Sequence, residues 1–188
     1  MRKVQHALVA LGANLPLSGL NPPEILRAAL RMLAGPDVVV AAHSRLFASP
    51  CFPPGAGPDY VNAAARLETS LAPLALLQRL HEVEAAFGRE RVQRWGQRTL
   101  DLDLLAYGDL VRPDAATHDH WRGLSAKAQA RLAPDQLILP HPRLQDRAFV
   151  LVPLAEVAPD WRHPRVGLTV LQMLNRLKLA DIAAVTPL

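Results

Sequence analysis

The sequence predicts an α+β sandwich, with helices packed over an antiparallel or mixed sheet. Segments with the two-residue period of a strand alternate with segments of helical period, in the order strand, helix, strand, strand, helix, strand. Half of the 188 residues are hydrophobic and 20% are charged, which is enough apolar material for a sizeable core. No repeat or composition break divides the chain, so we expect one domain, 1–188, with an insert at about 113–136.

The first strand and the first helix have clear local signals. Residues 4–11 form an apolar run that predicts a buried strand. Asn21 can cap a helix, the two prolines after it suit a first turn, and Glu24 stands where a capping box needs its acid. Leucines then recur at helical spacing until Gly35 and Pro36 end the helix.

The middle of the chain supplies three strands and a long helix. The valine-rich residues 37–48 predict a second strand, and residues 60–69 alternate as a third. The Pro/Gly-rich loop between them, 49–59, suits the wall of a binding site, because prolines reduce the entropy that a loop loses when it is held in one shape. Apolar residues at helical spacing predict a helix over 73–87, and a fourth strand follows at 99–107.

The rest of the chain is less regular. The polar segment 113–136 is long for a connection and contains a possible short helix near 125–132. Residues 148–157 are mostly apolar, and a last helix is predicted over about 169–179.

The composition favours an anionic partner and a cytoplasmic location. The net charge is +4, and only three of the 21 basic residues are lysines. Arginine offers a planar fork that fits phosphate oxygens, although coding bias alone could explain the composition as a whole. The one cysteine, Cys51, excludes a disulfide framework and a multi-cysteine metal site. We expect no membrane partner, since the chain shows no signal peptide and no apolar run near the ~20 residues that span a bilayer.

Two acids in the fourth predicted strand are the strongest local signal. In a strand, the alternation of side chains sends Leu100, Leu102 and Leu104 to the core and sends Asp101 and Asp103 together to the other face. Two hard carboxylates that converge on one point make a good Mg²⁺ seat. The alternative is an ordinary strand with polar residues facing water.

A run of arginines precedes these acids. Arg89, Arg91, Arg94 and Arg98 lie within ten residues of one another, with Trp95 among them. Arginines beside paired aspartates are what a polyphosphate-transfer site needs, because guanidinium groups neutralise charge that develops in the transition state. A solvated loop, or a site for nucleic acid, would also be consistent with this run.

The remaining candidates are weaker. Tyr60 and Asn62 share a strand face and could stack on and read a planar heterocycle, or could be structural. His81 and Glu84 lie on the polar side of the 73–87 helix, where spacing alone favours plain solvent exposure. His141 stands between two prolines, which either aim its ring or simply make a rigid turn.

Two further histidines give no support for a metal site, and three common site motifs are absent. His118 and His120 lack further ligands at metal-site spacing and are interpreted as surface residues. The chain also lacks a P-loop, a Gly-x-Gly-x-x-Gly fingerprint and a Gly-x-Ser-x-Gly elbow.

Several short motifs, taken in order, resemble those of one enzyme family. The most specific are the Arg-x-Leu-Asp-x-Asp segment at 98–103 and the Pro-His-Pro segment at 140–142. The others lie at 10–15, 58–64, 67–69, 88–96 and 147–154. Together they resemble the 6-hydroxymethyl-7,8-dihydropterin pyrophosphokinases of folate biosynthesis, over roughly residues 4–112 and 137–178.

This resemblance implies a ferredoxin-like α+β fold with a mostly antiparallel sheet. It also implies a Mg²⁺-dependent transfer of the terminal diphosphate of ATP to the hydroxymethyl oxygen of the pterin, with AMP as the other product. The expected partners are these small molecules alone, without nucleic acid or membrane, and the protein is expected to act as a monomer.

The resemblance also implies a role for each matching residue. Asp101 and Asp103 would hold two Mg²⁺ ions, and together with Arg89 and Arg98, which bind the moving phosphates, they would form the catalytic set. The ATP side would comprise His81, Glu84, Arg91, His141 and Arg147. The pterin would lie between the rings of Tyr60 and Phe149 with Asn62 reading its edge, and the rest of its pocket would be Gly12, Ser49, Pro50, Phe52 and Trp95, the last closing over the pterin.

The sequence departs from the family pattern in four places. Gln97 stands where proline is usual, and Ala13 replaces a common serine. The arginine segment is one residue shorter than in some relatives, which affects the equivalence of Arg91. The insert at 113–136 could be a lid, a contact surface or an inert excursion.

Two other functions remain consistent with parts of the sequence. A nucleic-acid-binding ferredoxin-like module would use the arginines and Trp95 but has no need for paired aspartates, whose charge repels a phosphate backbone. A different Mg²⁺ phosphotransferase would have no need for Tyr60, Asn62 and Phe149, an argument that depends on the resemblance.

Overall fold

The computed structural model describes residues 4–51, 57–88 and 99–188, with only the backbone described at 126, 129 and 130. Within these residues the strands are β1 (Gln5–Ala13), β2 (Val38–His43), β3 (Phe47–Ser49), β4 (Tyr60–Thr69), β5 (Asp101–Tyr107) and β6 (Thr186–Pro187). The helices are α1 (Pro22–Leu33), α2 (Pro73–Ala86), α3 (Ala115–Gly123), α4 (Ala126–Arg131), α5 (Ala148–Val157), α6 (Val170–Leu174) and α7 (Leu179–Ala183), with a 3-10 turn at Leu144–Asp146.

The described strands form one antiparallel sheet, as the α+β prediction expects. Its strand order is β5-β1-β4-β3-β6, and β2 also pairs with β4. Helices α1 and α2 cover one face, where the core includes Val9 and Leu11 of β1 and Leu102 and Leu104 of β5. Helices α5 and α6 cover part of the other face, around Leu8 and other apolar residues of the central strands. The acids of β5 therefore belong to the face that is only partly covered.

Local signals account for the start of α1. The side chain of Asn21 accepts a hydrogen bond from the Glu24 amide at 3.0 Å, and the Glu24 carboxylate accepts from the Asn21 amide at 2.8 Å. This reciprocal capping box, which satisfies two amides that the helix itself leaves without partners, is the one the sequence predicts.

The strand predicted over 37–48 is two strands. Between β2 and β3, the hydroxyl of Ser44 accepts a hydrogen bond from the Ala64 amide at 3.0 Å and donates one to the Arg45 carbonyl at 2.7 Å. A side-chain oxygen thus takes the place of a backbone carbonyl in the ladder, and the strand is interrupted there.

The end of the chain also differs from the prediction. The helix expected over 169–179 is shorter, because α6 ends at Leu174 and α7 begins at Leu179. The apolar segment 148–157, for which no element was predicted, is helix α5. The insert contains the expected short helix, α4, and an unexpected one, α3. His120 is exposed as predicted, but His118 is fully buried, so its interpretation as a surface residue is wrong. Among the helices described, none has the length and apolar character needed to cross a membrane.

Candidate active site

Strand β5 presents its two acids on the face opposite the core. Leu100, Leu102 and Leu104 are 0–4% exposed and pack beneath α2, whereas Asp101 and Asp103 alternate with them and are partly buried. Alternate residues of a strand have Cα atoms about 6.5–7 Å apart and point the same way. The two carboxylates therefore lie on the same, partly covered face of the sheet, as the alternation predicts, with the Oδ1 of Asp101 itself buried.

The neighbouring strands place a small polar surface beside these acids. Asp101 lies opposite Gly12 of β1, and Gly12 lies opposite Asn62 of β4. A Cβ built on Gly12 would stand 3.7 Å from the Asn62 Oδ1 and 4.0 Å from a ring carbon of Tyr60. The absence of a side chain at Gly12 thus leaves a shallow space between the acids and these two side chains.

The Asn62 amide is held in place from the next strand. Asn62 is 5% exposed, and its Nδ2 donates to the hydroxyl of Ser49 at 2.8 Å. Ser49 lies opposite Tyr60 in the β3–β4 ladder, so the three side chains share one face. The arrangement fixes which way the amide points, and it brings together three of the residues that the resemblance assigns to the pterin.

A neutral histidine and an arginine border the acids. The amide of His141 donates to the carbonyl of Leu105, two residues beyond Asp103 on β5, at 2.7 Å. Desolvation and, to a smaller extent, the charge of the nearby Arg147 lower the pKa of His141 to about 3, against the opposing effect of Asp101. Its Nδ1 accepts from the Arg143 amide at 3.1 Å, so the neutral ring carries its hydrogen on Nε2.

The start of α5 lies at the same border. The Arg147 guanidinium stands 5.7 Å from the ring centroid of Phe149, which is 40% exposed. The intervening Ala148 packs against Phe47, the β3 partner of Asn62. An aromatic face and a cation therefore stand beside the polar surface, where a planar anionic ligand would meet both.

Spacing alone suggests that Glu84 lies on a solvent-exposed face of α2, but the structure places it in the interior. It is 1% exposed, and its Oε1 accepts from the Leu102 amide at 2.7 Å. Because β5 is an edge strand, this amide points away from β1, and the carboxylate satisfies it. Glu84 thus holds the residue between the two acids.

The structure does not bring every predicted residue together. His81 is half-buried on α2, and Pro50 is exposed at the end of β3. The predicted roles of Phe52, Arg89, Arg91, Arg94, Trp95 and Arg98, and the departure at Gln97, lie outside the described residues. Sequence reasoning missed Ala10, which lies opposite Asp103 on the same face and which the alternation through Gly12 could have identified.

Comparisons with known proteins agree with this geometry. The family model of 7,8-dihydro-6-hydroxymethylpterin-pyrophosphokinase (HPPK) matches residues 8–159. A 2-amino-4-hydroxy-6-hydroxymethyldihydropteridine pyrophosphokinase of Synechocystis is 39% identical over 185 residues, which are 96% of this chain and 80% of the relative. A Pseudomonas aeruginosa protein of the same name is 40% identical over 86% of this chain and 85% of its own.

Solved structures support the ferredoxin-like fold. A crystal structure of an HPPK-DHPS in complex with substrates superposes with a TM-score of 0.64 at 12% identity. A Plasmodium falciparum HPPK-DHPS with pterin and p-hydroxybenzoate gives 0.65 at 13%. Each match covers more than nine tenths of this chain but only 43% of the HPPK-DHPS chain. The family match and the long, similar relatives show that the chain belongs to the HPPK family.

Proposed function

We propose that the protein transfers the terminal diphosphate of ATP to the hydroxymethyl oxygen of 6-hydroxymethyl-7,8-dihydropterin. The oxygen of the alcohol forms a bond to the β-phosphorus of ATP, and the bond from that phosphorus to the oxygen bridging it to the α-phosphate breaks. AMP leaves with the bridging oxygen, and the proton of the alcohol passes to solvent. The observation that carries the proposal is the shared face of Asp101 and Asp103 beside Gly12 and Asn62.

The donor set of the two acids fits Mg²⁺. Both carboxylates offer hard oxygen ligands on one face, and the described segments contain no cluster of three or more His, Cys, Asp or Glu that could enclose a metal. Mg²⁺ typically takes one or two carboxylates and completes its octahedron with water and substrate phosphates. Bound there, Mg²⁺ would neutralise phosphate charge and lower the pKa of the alcohol, and two ions would match the two acids.

The polar surface beyond the acids suits the pterin. Tyr60 and Phe149 supply aromatic faces, and the Asn62 amide, fixed by Ser49, can exchange hydrogen bonds with the edge of the heterocycle. Gly12 leaves room for the ring. Pro50, Phe52 and Trp95 complete the proposed pocket on the basis of the resemblance.

The ATP side would be defined by cations and neutral donors. Arg147 carries charge toward the phosphates, and the Nε2–H of His141 donates a hydrogen bond without adding charge. By resemblance, Arg89 and Arg98 bind the moving phosphates with Arg91 in support, and His81 faces the ATP side. This side needs no strong base, because phosphoryl transfer depends mainly on alignment and charge neutralisation. On the basis of the same resemblance, the protein is proposed to act as a monomer.

A product assay tests the proposal. The protein is incubated with ATP, Mg²⁺ and 6-hydroxymethyl-7,8-dihydropterin, and the products are separated by ion exchange. We expect AMP and the pterin diphosphate in equal amounts, and a rate at least 100-fold lower for Asp101→Asn. Asp109→Asn, an exposed acid just beyond β5, is the matched control and should stay within twofold of the wild type. Formation of ADP, or no turnover that depends on the pterin, would refute the proposal.

A further inference from the structure

Helix α3 is joined to the candidate site at the base of the insert. The backbones of Arg112 and Leu139 pair with each other through two hydrogen bonds, of 2.9 and 3.2 Å, so the segment between them is a closed excursion. Pro140 and His141 follow directly on the returning strand segment. The insert therefore begins and ends beside the turn that carries His141.

Within this excursion, His118 reaches back to the turn. Its side chain is fully buried, and its Nε2 lies 3.0 Å from the carbonyl oxygen of Pro140. A carbonyl can only accept, so Nε2 carries the hydrogen and donates it. The next residue, His141, is itself bonded through its amide to Leu105 of β5. The turn is thus held between α3 on one side and the acid-bearing strand on the other.

A second set of contacts fixes α3 from behind. The ring of His118 meets the buried ring of His163 edge to face, with centroids 5.7 Å apart. Asp119 forms an ion pair with Arg165, whose Nε lies 3.3 Å from the carboxylate. His163 Nδ1 accepts from the amides of Arg165 and Val166, which makes the supporting loop itself well defined.

We propose that α3 is a positioning element of the active site and that His118 is its positioning residue. By holding the Pro140 carbonyl, His118 fixes the direction of His141 toward the phosphate side of the acids. The expected effect on turnover rests on the proposed function. The expected effect on the rigidity of the turn at Pro140 and His141 does not. A lid that swings over the site is not consistent with a helix whose anchoring side chain is fully buried.

Three variants separate the hydrogen bond from the packing. His118→Phe keeps a ring and removes the donor, His118→Gln keeps a donor at the same reach, and His120→Phe makes the same change on the exposed side of α3. We expect kcat to fall at least tenfold for His118→Phe with KM for both substrates within threefold, because misalignment affects the transition state more than binding. His118→Gln should restore kcat to within threefold of the wild type, and His120→Phe should leave it unchanged.

Amide hydrogen exchange tests whether α3 keeps this turn rigid, and it does not require turnover. In His118→Phe the amide of His141 should exchange at least tenfold faster, while the amide of Ile25 at the start of α1 keeps its rate. Equal exchange at His141 in the wild type and His118→Phe, or equal kcat, would overturn the inference. Absence of AMP formation in the wild type would refute the proposed function, and the exchange result would still decide whether α3 holds the turn.

A wild-type measurement covers the case in which His118→Phe does not fold. Native-state exchange at increasing low urea should show the amides of His118 and His141 opening with one common free energy. Opening of α3 while His141 stays protected would overturn the inference.

Discussion

The buried His163 makes the fold sensitive to acid. Its side chain is fully buried, and burial together with the neighbouring His118 and Arg122 lowers its pKa from 6.5 to about 4. The unfolded chain takes up a proton as the pH falls below 6.5, whereas the folded chain resists protonation until about pH 4. The stabilisation is therefore complete above pH 6.5 and is lost as the pH falls toward 4.

The size of this effect follows from the two pKa values. Relative to high pH, protonation of this one group decreases the free energy of unfolding by RT ln[(1 + 10^(pKaU − pH))/(1 + 10^(pKaN − pH))]. Here pKaU and pKaN are the pKa values of His163 in the unfolded and native states. This expression gives about 0.2 kcal/mol at pH 7 and about 2 kcal/mol at pH 5. Between these two pH values, His163 alone should lower the free energy of unfolding by about 2 kcal/mol.

Urea unfolding at pH 7, 6 and 5 can measure this loss. In His163→Asn the amide oxygen can still accept from the Arg165 and Val166 amides, but the side chain no longer titrates. The variant should be less stable at pH 7 because it loses the packing of the ring. Its unfolding free energy should nevertheless fall by about 2 kcal/mol less than that of the wild type between pH 7 and pH 5.

The control for this comparison is His120→Asn, since His120 is exposed on α3. Its stability should depend on pH as that of the wild type does. Parallel pH dependence of the wild type and His163→Asn would refute the reasoning, because it would mean that His163 titrates alike in the folded and unfolded chains.

Three further substitutions test the candidate site. Glu84→Ala should lower the free energy of unfolding by about 1–3 kcal/mol, since it leaves the Leu102 amide buried without its acceptor. Glu84→Gln should recover most of this loss. Equal urea midpoints for Glu84→Ala and the wild type would contradict the prediction. Gly12→Ala adds a methyl group 3.7 Å from the Asn62 Oδ1 without a clash, so the free energy of unfolding should change by less than about 1 kcal/mol. KM for the pterin should rise about tenfold, because the methyl group takes up space next to Asn62. An unchanged KM would show that the pterin does not lie there. Ser49→Ala removes the acceptor of the Asn62 amide. It should raise KM for the pterin about threefold to tenfold with little change in KM for ATP. Equal changes in the two KM values would argue against a pterin-specific role.

Features set by local rules could be predicted from the sequence. The alternation that separates Asp101 and Asp103 from their leucine neighbours depends only on the two-residue period of a strand. The capping box of Asn21 and Glu24 depends only on residues three apart. In both cases the decisive contacts lie within one element, so no knowledge of the rest of the fold is needed.

Features set by distant contacts could not be predicted in this way. Ser44 interrupts a strand through a bond to Ala64, twenty residues away, and nothing in the valine-rich segment indicates it. Glu84 is buried because an edge amide of β5 faces it, and a helical projection shows only a polar residue on a polar side. Helix α3 did have a local signal, since the side chain of Asp114 caps it through Thr117, but the burial of His118 depends on the Pro140 turn.

The position of the candidate site follows from how much of the sheet the second helix layer can cover. Helix α5 has ten residues and is about 15 Å long, whereas strand β4, also of ten residues, is about 33 Å long. Whatever the direction of the helix, it leaves a large part of the strand uncovered on that face. The residues beneath α5, such as Ala64 and Leu105, are apolar, and beyond them the same face carries Asn62 and Asp103. Because polar groups are costly under a helix and useful where substrate and cation can reach them, the short length of α5 accounts for part of the division between core and site along these strands.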